Sequence, residues 1–181
     1  MASNIPEGTT SPAGLERELD RIGHALVTGR LTTLTGTCGA GRTRLAIRAA
    51  GRVRSLYRDG VRWADLAPVH DADMLLATVS EAVGLRGHTR RTPVEALVRM
   101  PVESLVEMVC ERLAGMHLLL VLDSCEHVRP ACAHLLGEIL TTSPGLTVLA
   151  TSEHPLGVRG EQCVGVLEAG ADLGSAPRPP R

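Results

Sequence analysis

Residues 31–43 read LTTLTGTCGAGRT, and the fold turns on how this stretch is read. The first five residues are a short β-branched run, which marks a strand. Glycines stand at 36, 39 and 41, and residues 43–57 (TRLAIRAAGRVRSLY) are dominated by helix formers. Strand, glycine-rich turn and helix therefore follow in that order. Glycines at both ends of such a turn allow backbone conformations closed to other residues, so successive N–H groups can point inward at an anion. A helix beginning near Arg42 would add the positive end of its dipole. On this reading Gly36, Thr37, Cys38, Gly39, Ala40, Gly41, Arg42, Thr43 and Arg44 form a phosphate-binding loop. One position departs from the pattern: Arg42 stands where a lysine ordinarily reaches the β- and γ-phosphates, and Thr43 follows as the expected Mg²⁺ ligand.

A nucleotide site of this kind needs a carboxylate at the end of a neighbouring buried strand to help hold Mg²⁺. Residues 117–124 read HLLLVLDS. Five consecutive apolar residues suit a parallel strand buried on both faces, and Asp123 ends it, on the side where ligands bind in open α/β sheets. The alternative is that Asp123 caps a helix. Thr43 and Asp123 are the candidate metal pair.

The chain has 181 residues, 44% of them hydrophobic, which is enough for one sizeable core. It contains one Trp, one Tyr and no Phe, so packing must rest on Leu, Val and Ala. A net charge of −1 predicts no general attraction to nucleic acid or to an anionic membrane. No apolar run is long enough to span a bilayer, and the first residues lack a signal-peptide pattern, so a cytoplasmic location is expected.

Five cysteines have no disulfide-framework spacing. Cys125, His127, Cys132 and His134 are soft ligands close together, but each Cys–His pair is two residues apart and would split across a helix. A strand end, a turn and a helix start explain them better than a metal site. Cys38 is either a reactive thiol activated by the loop or simply a tolerated small residue.

The remaining pattern alternates β and α. Leu15, Leu19, Ile22 and Leu26 mark an amphipathic helix before the first strand. Residues 61–66 alternate as a second strand after an Asp59-Gly60 turn. A helix starts near Asp71, residues 84–93 form a polar, arginine-rich loop read as the most mobile segment, and Val102, Leu105, Val106, Val109 and Leu113 line the next helix. Residues 131–140 read as helix, 146–151 as strand and 162–167 as a weak last strand with an exposed edge. The expected fold is a P-loop NTPase-type α/β domain, a three-layer α/β/α sandwich around a mostly parallel sheet. It should occupy residues 14–167, between a flexible N-terminus (1–13) and a disordered tail (168–181).

Together with the loop, the segments GLEREL (14–19), VRWADLAPV (61–69), LLLVLDSCEH (118–127) and PGLTVLATSEHPLGVRGE (144–161) resemble the nucleotide-binding domain of STAND-type regulators. More narrowly, they are similar to the NB-ARC-like ATPase module of large bacterial transcriptional regulators of the LuxR and SARP kinds. The resemblance implies a switch that binds ATP or ADP with Mg²⁺, closed with ADP and open, often oligomeric, with ATP. It also implies that residues 14–18 approach the adenine and that hydrolysis is slow.

Departures at Arg42, at Glu153 with its neighbouring strand end, and in the tail bear on that implication. Arg42 keeps the charge but replaces a compact ammonium with a bulky planar fork, although all 19 basic residues of this chain are arginine. Glu153 stands where family members commonly carry an arginine that senses the terminal phosphate, which places like charges together. Ser124 supplies no carboxylate beside Asp123, so no general base is assigned, and Glu126 reads as a distant candidate that more simply starts a helix. The tail GADLGSAPRPPR does not resemble the helical and winged-helix domains that follow in the family, which suggests a truncated or frame-shifted product. The expected function is an ATP/ADP-binding switch module with weak or no hydrolysis. The alternatives are a degenerate module that acts through protein contacts and a slow ATPase. Expected partners are the nucleotide and a regulator or a second copy of the chain; no recognition helix for DNA is evident.

Overall fold

A computed structural model of the chain describes residues 15–37, 39–85 and 101–166. In chain order the elements are α1 (Leu15–Thr28), β1 (Leu31–Thr35), α2 (Gly39–Val53), β2 (Val61–Asp65), α3 (Ala72–Ala82), α4 (Val102–Leu113), β3 (Leu118–Asp123), α5 (Arg129–Thr142), β4 (Leu146–Ser152) and β5 (Glu161–Gly165). The strands form one sheet in the order β2-β3-β4-β1-β5, and every pairing is parallel. Parallel neighbours require crossover connections, and the helices that make them cover both faces.

The period of each strand sorts its side chains between two cores. Leu119 and Val121 of β3 and Leu149 of β4 pack with α1 and α2 through Ile22, Leu26, Leu45 and Ala49. Leu118, Leu120 and Leu122 face the other way, against α3, α4 and α5 through Leu75, Val109 and Leu136. All six residues of β3 are buried, as the unbroken apolar run predicts for a central strand. Trp63 and Tyr57 both lie in the α1/α2 core, and aliphatic side chains fill most of the rest. Asp71 accepts a 2.8 Å hydrogen bond from Met74 N and caps α3, where a helix start is expected.

Several boundaries differ from the sequence reading. The helix after the loop starts at Gly39, inside the loop, rather than near Arg42. Residues as small as Gly39, Ala40 and Gly41 let the first turn wind without steric cost. The helix ends at Val53, and Arg54–Leu56 form a 3-10 turn. The last strand is shifted to Glu161–Gly165, and it forms one edge of the sheet, with β2 at the other. The expected N-terminal arm, most of the arginine-rich loop and the tail lie outside the described residues. Among the described residues, no helix is long and apolar enough to cross a membrane.

Candidate functional site

The C-terminal ends of β1, β3 and β4 open on the same edge of the sheet, because parallel strands in register end together. Thr35 pairs with Ser152 and Leu34 with Thr151, while Leu122 pairs with Ala150. The loop leaves β1 at Gly36 and enters α2, whose first N–H groups have no partner within the helix. Strand β4 lies between β1 and β3, so loop and carboxylate come from strands that do not touch.

They nevertheless meet. Thr43 Oγ1 lies 3.0 Å from both Oδ1 and Oδ2 of Asp123, to which it donates, across 80 residues of sequence. Thr151 Oγ1 donates a 2.6 Å bond to Asp123 Oδ1 and accepts one of 2.8 Å from Ser124 N. Ser124 adopts φ 67°, a left-handed conformation that turns the chain sharply after the carboxylate. Asp123 is buried. Burial raises its pKa above the ordinary aspartate value, the bonds from Thr151 and Thr43 oppose the rise, and Asp65 and Glu126 add to it.

Arg42 is 2% exposed and turns back on the loop. Its Nη1 donates to the carbonyl of Gly36, and its Nη2 lies 3.3 Å from Glu126 Oε1. Arg42 Nε and Glu126 Oε2 are buried without a hydrogen-bond partner. Gly36 has φ 150°, and a Cβ there would lie 2.9 Å from the carbonyl oxygen of Val166. Only glycine satisfies both conditions.

These residues fit a magnesium nucleotide. A hydroxyl and a carboxylate converge as hard oxygen donors, a buried guanidinium nitrogen lacks a partner, and a helix N-terminus faces the same edge. Of the other loop residues, Thr37, Ala40 and Arg44 are exposed, Gly41 is half-buried, and Cys38 lies outside the described residues.

Sequence alone marks Thr151 only as the end of a strand, and its one signal is a hydroxyl ending an apolar run. Glu126 starts a 3-10 turn, as a helix-start residue would, but its carboxylate also reaches the loop. Glu153, just after β4, is exposed, and Glu126 is the acid beside Arg42. In the Cys/His cluster, Cys125 and Cys132 are buried in the core, His127 Nε2 is 2.6 Å from the carbonyl of Val69, and His134 is exposed.

Thr151 gives a direct test of the geometry. Thr151→Val keeps the shape but removes both a donor to a carboxylate and the acceptor for a part-buried N–H. A loss of about 2–3 kcal/mol in urea unfolding is expected. A loss below about 0.5 kcal/mol would mean that the hydroxyl does not bridge these groups.

No protein-family model matches the chain. A Mycobacterium tuberculosis protein named "Putative HTH-type transcriptional regulator" is 41% identical over 136 residues, covering 75% of this chain and 14% of its own length. A second protein of that organism, named only as uncharacterized, is 35% identical over 153 residues, covering 84% of this chain and 36% of its own. The chain therefore spans well under half of either relative. Among solved structures, the Aeropyrum pernix ORC1 protein in complex with DNA superposes with a TM-score of 0.57 at 20% identity, over 86% of this chain and 46% of that one. A STAND ATPase with a tetratricopeptide repeat sensor from Pyrococcus horikoshii gives 0.56 at 16% identity, over 91% and 24%. The chain has the fold of the P-loop ATPases.

Proposed function

We propose that this chain is a nucleotide-binding switch module that holds ADP or ATP with Mg²⁺, turns it over slowly or not at all, and corresponds to the NB-ARC-like part of a larger transcriptional regulator. The observation that carries the reading is the meeting of Thr43 and Asp123 beside a glycine loop and a helix N-terminus. In this reading the N–H groups of residues 36–43 cradle the phosphates, Arg42 offers its charge to them, and Thr43 and Asp123 hold Mg²⁺. The metal neutralises phosphate charge when it is bound. The chain's own residues position the nucleotide and exclude water from one side of it.

Slow turnover is supported by the residue after Asp123: Ser124 carries no carboxylate, so the position beside the metal pair offers no general base. The link to a regulator is supported by the relative named as one and by the resemblance of the strand and loop segments.

A second reading, a module that has lost its nucleotide and acts through protein contacts, is favoured by one feature: Arg42 and Asp123 both already have partners within the chain. Titration of the purified chain with fluorescent ADP and ATP, with and without Mg²⁺, separates the two. Saturable binding strengthened by Mg²⁺ is the expected result. No saturation at millimolar nucleotide would leave only the second reading.

A further inference from the structure

Arg42 is the only buried cation among the described residues, and it is held from two sides by groups far apart in sequence. A planar guanidinium presents its donors in a fixed fork, so one nitrogen can bind the loop's own carbonyl at Gly36 while the other meets Glu126. An ammonium at this position would be a single point of charge. The two partners differ in enclosure: Arg42 is 2% exposed, whereas the Glu126 side chain is 31% exposed at the surface, so that a rotation of this side chain would carry its carboxylate, whose Oε2 is now buried and unpaired, out to water.

We propose that Glu126 is a releasable latch on Arg42 that sets the preference of the site between ADP and ATP. This rests on the nucleotide reading above. Each added phosphate competes with the Glu126 carboxylate for the same guanidinium and is repelled by that carboxylate at close range. The terminal phosphate of ATP brings the larger conflict, so the latched site favours ADP. ATP is accepted when Glu126 swings out and Arg42 exchanges a carboxylate for a phosphate.

The test is a titration of the full 181-residue chain with ADP and with ATP, in Mg²⁺, for wild type, Glu126→Gln and Glu126→Asp. Thermal melts without ligand establish that each variant is folded. Glu126→Gln keeps the shape and removes the charge. It is expected to strengthen ATP binding about tenfold and ADP binding by a clearly smaller factor. Glu126→Asp, which withdraws the carboxylate by one methylene, is expected to give an intermediate ATP/ADP ratio. If wild type binds nucleotide but the ratio is unchanged in both folded variants, the latch is overturned and the nucleotide reading stands. An effect confined to turnover, with both affinities unchanged, overturns it equally. If none of the three proteins binds either nucleotide, the nucleotide reading falls and the latch falls with it.

Discussion

Asp123→Asn is expected to weaken Mg²⁺-dependent nucleotide binding by about a hundredfold or more, while the protein without ligand becomes more stable at neutral pH. The two effects have one cause. The carboxylate is buried, and burial dominates its environment, so its charged form is costly in the folded protein and useful only when a cation shares the site. The amide keeps an acceptor for Thr151 and Thr43 and carries no charge. The pH dependence follows from the sign of the shift. A raised native pKa means that the folded protein holds this proton more tightly than the unfolded chain. Wild-type stability therefore falls as pH rises from the ordinary aspartate range through the raised native value, then stays at the lower level. The variant lacks that fall. Unfolding curves for both proteins at about pH 3 and pH 7 should converge at the acid end, where both side chains are neutral, and separate at the neutral end. A variant less stable than wild type at pH 7 would contradict the burial argument. An unchanged Mg²⁺ effect on nucleotide affinity would contradict the assignment of Asp123.

Gly36→Val should be the most damaging single change to the fold at the site, costing about 2–5 kcal/mol. The backbone at φ 150° strains any side chain, and a β-branched one most. A Cβ would also press against the carbonyl oxygen of Val166, which is backbone and cannot rotate away. Relief requires the chain after β5 to retreat, which breaks the 2.7 Å bond from Val166 N to the carbonyl of Thr35. The loss should therefore appear first at β5. Native-state hydrogen exchange is expected to show β5 amides losing protection ahead of β3 and β4, with a lower midpoint in denaturant. A midpoint equal to that of wild type would mean that the loop can adopt another path, and the close approach at Gly36 would lose its significance.

Much of the sheet could be read from residue order alone. The apolar run of β3 declares a strand buried on both faces, and a strand of that kind has to end in something polar, which singles out Asp123. Strand β1 and the helix start at Asp71 are equally local signals, carried by β-branched residues in one case and by a capping side chain in the other. What local pattern does not carry is which distant groups become neighbours. Nothing near Glu126 announces an arginine 84 residues away, and nothing near Thr151 announces the aspartate it supports. Glu153 is exposed just after β4, and the acid that reaches Arg42 is Glu126, in a different turn. The position of β4 between β1 and β3 is a property of the whole sheet, and pairs such as Arg42–Glu126 exist only because of it.

The same arrangement sets a timetable for synthesis. Among the described residues, β1 pairs only with β4 and β5, and both follow it by more than a hundred residues. While the chain emerges from the ribosome, β2 and β3 can associate, but the strand that carries the loop has no neighbour on either side until residues 146–152 arrive. Until then it is an unpaired β-branched strand, a target for chaperones or for the same strand of another nascent chain. The folded loop is thus formed only after β4 has been made, and its appearance reports that the centre of the sheet has closed.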